Sequence, residues 1–133
     1  MDFSSLLKRA AAARQNAYCP YSRFAVGAAL LAASGKVYTG VNLENASFGA
    51  TLCAERSALA AAVTAGERRF SALAVVGGAN PTPPCGICRQ TLAEFGDIPV
   101  AYADEALSAV RQTTLSALLP EGFGAATMEG ADE

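Results

Sequence analysis

Thr51-Leu52-Cys53-Ala54-Glu55-Arg56 and, farther along, Pro84-Cys85-Gly86-Ile87-Cys88 are the two stretches on which the reading of this chain turns. Each sets a cysteine where an irregular segment gives way to a helical pattern. Helix N-termini carry partial positive charge and free N–H groups, which favour the thiolate, the form that binds metal. Cys85 and Cys88 stand one helical turn apart, a chelate spacing, and Cys53 offers a third sulfur from another helix start. The chain has no histidine, so a tetrahedral zinc site must be built mainly of thiolates. Structural zinc sites close with four protein ligands, whereas catalytic ones hold three and leave a position for water. Three thiolates beside Glu55 therefore point to a metal-activated hydrolase.

Around these segments helix and strand alternate. Phe3 to Ala17 has helical spacing and is ended by Pro20. Phe24 to Ala33 reads as a buried strand, turning at Ser34-Gly35-Lys36 into a second strand, Val37 to Glu44. A loop from Asn45 to Ala50 leads to Thr51, the expected N-cap of a helix from Leu52 to Ala65, closed by Gly66. Phe70 to Gly77 is a third strand, too apolar for an edge exposed on one face. Pro81, Pro83 and Pro84 feed a short helix, Gly86 to Phe95, stopped by Gly96. Ile98 to Ala103 forms a fourth strand, and Asp104-Glu105-Ala106-Leu107 is short enough for a hairpin into a fifth, Ser108 to Thr113. The order α-β-β-α-β-α-β-β predicts an α/β fold, a mixed five-stranded sheet covered by helices. Residues 1–133 read as a single domain with a flexible tail from about residue 125, and Glu129 to Glu133 are expected to fray.

With 52% hydrophobic and 17% charged residues, the chain is more apolar than an ordinary domain, so burial between subunits is the natural outlet. A net charge of −2 gives no footprint for a nucleic-acid backbone. Phe24 to Ala33, the longest apolar run, is too short to cross a membrane. Met1-Asp2 does not resemble the start of a signal peptide. The expected address is cytoplasmic, where thiols stay reduced and four cysteines favour metal or catalysis over disulfides.

Other readings of the cysteines exist. A redox dithiol at Cys85 and Cys88 leaves Cys53 and Glu55 unused. A closed structural site would need Cys19, which has no chelate partner nearby and suits a small buried hydrophobe. Glu55 does not share a helical face with Cys53, but at an open first turn its side chain can fold back over the helix end. There it would shuttle protons; otherwise it is an acid that complements the helix dipole. Arg56, three residues after Cys53, faces the same way. Three thiolates on Zn²⁺ carry a formal 2 − 3 = −1, and an arginine donating to the sulfurs would withdraw that density. A solvent-facing helix arginine is the alternative. Asn42 and Glu44, two apart on the expected strand, point to one face, with Val41 and Leu43 on the other; they are either a buried polar pair or a solvated edge.

At these residues the chain resembles the small cytidine deaminases. The matching stretches are Tyr18 to Ser22, Phe24 to Leu30, Val41-Asn42-Leu43-Glu44-Asn45-Ala46-Ser47-Phe48, Cys53 to Ala58, Pro84 to Phe95 and Leu118 to Phe123. The resemblance thus covers nearly the whole chain. It implies zinc on Cys53, Cys85 and Cys88, with a water or hydroxide completing the shell. Glu55 would move a proton from that water to ring N3 and help N4 leave as ammonia, converting cytidine, and 2′-deoxycytidine, to uridine or deoxyuridine. It also implies that the backbone at Ala54 holds the pyrimidine edge, that Asn42 and Glu44 hold the ribose, and that Phe24 packs against the nucleoside. A homotetramer with shared active sites follows as well, Phe123 reaching a neighbouring one. Phe48 stands where many relatives carry tyrosine, so that hydroxyl's contacts are missing.

Overall fold

The computed structural model describes residues 2–129. Five strands form one sheet in the order β2-β1-β3-β4-β5: β1 (Gly27–Ala32), β2 (Val37–Val41), β3 (Phe70–Val76), β4 (Pro99–Ala103) and β5 (Val110–Thr114). β1 and β2 form an antiparallel hairpin, β1 also pairs antiparallel with β3, β3 and β4 are parallel, and β4 and β5 close antiparallel. The sheet is therefore mixed and five-stranded, as expected, with the apolar β3 at its centre.

Period-two alternation sorts the residues of the sheet onto two unlike faces. Leu30, Leu73, Val75 and Val100 point to one face, where they pack with Ala58, Leu59 and Ala62 of α2 (Ala54–Thr64) and Leu92 of α3 (Gly86–Ala93). Ala29, Ala72, Ala74, Ala101 and Ala103 point to the other, under Phe3, Leu6, Leu7 and Ala10 in and beside α1 (Ser4–Arg14). Side chains this small let α1 lie close on the sheet. At Gly27 a Cβ would stand 2.0 Å from the Ala10 carbonyl oxygen, and at Gly40 it would stand 2.4 Å from both the Ala54 oxygen and the Ala58 nitrogen. Both helices thus sit where only glycine leaves room for their backbones. The alanines at 54, 58 and 62 are core within this chain, while Ala60, Ala61 and Ala65 face outward.

Register then decides where chemistry can gather. Gly27, at the start of β1, lies opposite both Val41 and Val76, the last residues of β2 and β3. The segments before β1, after β2 and after β3 therefore meet at one end of the sheet. The latter two lead into α2 and α3, which cover the same face. Both cysteine-bearing helix starts are delivered to one place by this topology.

Several expected boundaries move. α1 ends at Arg14 rather than Ala17, because Tyr18 leaves the helix to bond Asn42 and bridge to Leu43. The first strand starts at Gly27, not Phe24, since the Phe24–Val26 backbone is held by the Asn42 side chain instead of a ladder. β2 stops at Val41 rather than Glu44. Beyond it Leu43 forms only isolated bridges, to Tyr18 and Leu52. That second bridge also keeps Leu52 out of the helix: α2 begins at Ala54 with Cys53, not Thr51, at its N-cap. The Thr51 hydroxyl instead accepts from the Asn45 N–H. α3 ends at Ala93, where the Phe95 and Gly96 N–H groups fall back three residues onto Leu92 and Ala93. The last hairpin turn is longer than expected because the buried Asp104 carboxylate accepts from the Ser108 hydroxyl and the Ala109 N–H, delaying β5 to Val110. Three short helical pieces are additional: a 3₁₀ turn (Phe48–Ala50) in the expected loop, α4 (Leu115–Leu118), capped by Thr114, and α5 (Ala125–Met128), within the segment expected to be a flexible tail. Of the residues expected to fray, 130–133 lie outside the described residues.

Candidate active site

Cys53 occupies the N-cap of α2 and Cys85 the N-cap of α3, both with extended backbones and neither making a side-chain cap bond. Their sulfurs are thus free to turn away from the helices that position them. The Sγ atoms of Cys53 and Cys85 lie 3.6 Å apart and those of Cys85 and Cys88 3.3 Å apart. All three sulfurs fall within 4.8 Å of one another. Tetrahedral zinc with thiolate bonds of usual length needs sulfurs roughly 3.8 Å apart, so this donor set fits the metal. No fourth His, Cys or carboxylate joins the cluster among the described residues. Cys19 lies apart from it, which removes the closed four-cysteine arrangement.

Electrostatics agree with a thiolate site. A hydrogen bond from the Cys88 thiol brings Cys53 down to about 5, aided by the Arg56 guanidinium and Cys85 and opposed by burial. Cys88 is pushed up by the same interaction with Cys53 and by its burial. Arg56 Nη2 lies 3.6 Å from the Cys53 sulfur and 3.3 Å from the Thr51 carbonyl oxygen. Its Nε is buried without a partner among the described residues. The guanidinium is therefore turned inward toward the sulfurs, not to solvent.

Glu55 is only 4% exposed, and burial raises its carboxyl above the ordinary range, while contacts from the Cys88 thiol and the Cys85 backbone act the other way. Its side chain does fold over the helix end toward the cysteines. A merely dipole-complementing acid would face water. Ala54, the residue between, is fully buried.

Asn42 and Glu44 are brought to the same end of the sheet, as bonded groups and not as a solvated edge. Asn42 accepts from the Val26 N–H at 2.9 Å and donates to the Phe24 carbonyl at 2.7 Å. Glu44 accepts from the Tyr21 and Ser22 N–H groups at 2.9 and 3.0 Å and from the Ser22 hydroxyl. These bonds hold its carboxyl below the usual range, the Ser22 hydroxyl contributing most. Phe24 is 46% exposed, so it is not plain core; a Cβ at Gly78 would stand 2.8 Å from its ring. Phe48 (76% exposed) meets Tyr21 edge to face, and with Ser22, Glu44 and Thr51 these two rings line a groove of about 400 Å³. Phe123, 57% exposed, does not line this groove but a separate cavity, with Leu115, Leu119 and Gly122. Not singled out by the sequence are Ser22, whose hydroxyl joins Glu44 to the Phe24 N–H, and Arg89 and Gln90, which reach the Leu118 and Phe123 carbonyls far along the chain. No local spacing announces such bonds.

Residues 2–103 match the family model described as "Cytidine and deoxycytidylate deaminase zinc-binding region". The chain belongs to this deaminase family. A cytidine deaminase of Sporosarcina psychrophila is 46% identical over 136 aligned positions, covering 100% of this chain and 99% of that protein. The crystal structure of cytidine deaminase from Burkholderia pseudomallei superposes with a TM-score of 0.87 at 47% identity, covering 92% of this chain and 100% of the other. The enzyme from Mycobacterium tuberculosis follows at a TM-score of 0.81, 44% identity, and coverage of 93% and 98%. The α/β fold is thus that of a cytidine deaminase. Within it, Cys53, Cys85 and Cys88 form the zinc cluster of the deaminase family.

Proposed function

We propose that this chain hydrolyses cytidine, and 2′-deoxycytidine, to uridine or deoxyuridine with release of ammonia, in pyrimidine salvage. The observation that carries the reading is the meeting of three cysteine sulfurs with a buried glutamate at two adjoining helix starts, in a chain of the deaminase family. Cys53, Cys85 and Cys88 would hold zinc, which as a Lewis acid makes water reactive at neutral pH. Glu55 takes a proton from the attacking water and carries it to N3 of the ring. The water oxygen bonds to C4, and Glu55 then moves the remaining proton of that new hydroxyl to N4, so that the C4–N4 bond breaks and ammonia leaves a C4 carbonyl. Burial suits Glu55 to this work, because a carboxyl whose affinity for protons is raised both accepts and returns one readily. Arg56 draws density from the sulfurs and so offsets the negative charge of a three-thiolate site.

The Ala54 backbone meets the pyrimidine edge, Phe24 packs on the base, and Asn42 and Glu44 face the ribose. Asn42 and Glu44 hold the Phe24 segment as well, which supports giving base and sugar recognition to one bonded unit. The chain works as one domain and assembles as a homotetramer with shared active sites, Phe123 serving a neighbouring site. The exposed aromatic side chains at 24, 48 and 123 support this, since each offers an apolar face that a second subunit can cover. Nucleic acid is not a substrate, given a net charge of −2. Among the described residues no helix is long and apolar enough to cross a membrane, and four unpaired cysteines suit a reducing cytoplasm. An ultraviolet assay on cytidine, deoxycytidine and free cytosine, with ammonia measured in parallel, tests the reading. Turnover of both nucleosides is expected; none on either would overturn it.

A further inference from the structure

Arg89 and Gln90 follow Cys88 directly, and their side chains fasten three backbone carbonyls from two distant parts of the chain. Arg89 Nε donates to the Pro84 carbonyl at 2.7 Å, and Nη1 of the same guanidinium donates to the Leu118 carbonyl at 2.8 Å. Gln90 Nε2 donates to the Phe123 carbonyl at 2.7 Å. Pro84 is buried and immediately precedes Cys85, the most exposed of the three cluster cysteines. Cys85 follows a segment without regular structure from residue 81, so helix α3 restrains it from one side only. The Arg89 guanidinium supplies the restraint on the other side. Leu118 ends α4 and opens the C-terminal segment, whose far end is the Phe123 carbonyl held by Gln90. One planar cation therefore bridges the loop that carries a zinc ligand and the root of the C-terminal segment.

We propose that Arg89 is a positioning residue that couples the docking of the segment Leu118–Phe123 to the retention of zinc by Cys85. The guanidinium is suited to this because its donors are fixed in one plane, so shifting the Leu118 carbonyl shifts the hydrogen bond at Pro84. A lysine at the same place could serve one carbonyl but not both. Gln90 acts at one remove: it pins the far end of the segment and so steadies the Leu118 carbonyl on Arg89. Zinc held by Cys85 is retained longest when the segment is docked.

The test follows zinc transfer from the purified full-length holoprotein to a chromogenic chelator in excess, well below the unfolding temperature. Zinc content is measured first. Arg89→Lys is expected to release zinc about tenfold faster than the unchanged protein, the low end of what loss of a partner outside the metal shell does. Gln90→Leu is expected to give a smaller acceleration, and none when added to Arg89→Lys, because its effect runs through the guanidinium. A purely structural role would lower the melting temperature of each variant and leave release unchanged, which overturns the proposal. Equal acceleration by Gln90→Leu in both backgrounds overturns it too. Should Arg89→Lys not fold, Gln90→Leu decides alone: unchanged release refutes the coupling. The inference rests on the zinc reading of the three cysteines, and a protein purified without zinc overturns both. A zinc protein whose release ignores Arg89 and Gln90 overturns only this one.

Discussion

Cys53, Cys85, Cys88 and Glu55 hang from two helix starts that pack on the sheet, whereas Phe24, Asn42 and Glu44 sit on extended segments beyond the strand ends and hold one another. On the first side Ala54, Glu55 and Cys88 are buried, and Cys88, Arg56 and Cys85 lower the affinity of Cys53 for its proton. On the second side the rings of Phe24, Phe48 and Tyr21 are about half exposed or more. The contrast sets a buried cluster of sulfurs and a carboxyl against exposed rings that another group can cover. Variants of the three sulfurs and of Glu55 should act first on the reaction itself. Variants on the second side should change KM with the metal in place.

The largest effect is expected from the sulfurs. Replacing Cys53, Cys85 or Cys88 by alanine leaves two ligands, which bind zinc weakly, so both metal content and activity should vanish. Cys19→Ser should keep a full complement of zinc and near-normal activity, since Cys19 lies apart from the cluster. Zinc loss in Cys19→Ser would erase the distinction between an open and a closed site. Next is Glu55→Gln, for which kcat should fall by about 10²–10⁴, the span of a lost general acid–base. Its fold and zinc should survive, because burial already disfavours the charged carboxylate and the amide does not carry that burden. Near-normal turnover would take the proton shuttle away from Glu55.

The two sides are also unequally legible in the sequence. A cysteine pair one turn apart and an arginine three residues after a cysteine are local relations, and helix geometry alone translates them into space. Spacing along the chain therefore groups Cys85 with Cys88 and Cys53 with Arg56, while it is the sheet topology that brings the two groups together. The strands β1 and β3 are legible too, because each is a near-continuous apolar run along the chain. The strand ends are not. β2 gives way after Val41 because the Asn42 and Glu44 side chains bond backbone at Phe24, Val26, Tyr21 and Ser22. Such long-range bonds have no signature in period or propensity. Arg89 is hidden likewise: one of its two carbonyl partners is 29 positions away.

A third and milder effect concerns the open side. Phe123→Ala should raise KM for cytidine by about tenfold, equivalent to ~1.4 kcal/mol of binding, with zinc unchanged. Light scattering on the unchanged protein should report a tetramer. A fully active monomer at assay concentration would show that each chain completes its own nucleoside pocket, and the contrast between a closed and an open side would then be wrong.

The smallest effect is the one that probes how the open side holds together. Ser22→Ala removes the hydroxyl that donates to Glu44 and accepts from the Phe24 N–H, while the Tyr21 and Ser22 N–H groups still reach the carboxylate. KM should rise a few-fold and kcat hold, because the base-stacking segment loosens while the metal side is untouched. A pH signature follows. In the folded protein Glu44 lies below its ordinary range, first through the Ser22 hydroxyl and then through the Ser22 N–H. A depressed carboxyl contributes its stabilisation fully above the unfolded-state pKa and loses it as pH falls through the folded-state value. With the hydroxyl gone, the folded-state value moves up toward the ordinary one. The acid rise in KM should therefore set in at higher pH in Ser22→Ala than in the unchanged protein. Profiles of KM against pH, taken with zinc content held equal, measure the displacement. An onset at the same pH in both proteins would mean that Glu44 takes its low affinity for protons from the backbone alone, and that Ser22 is not part of the clamp.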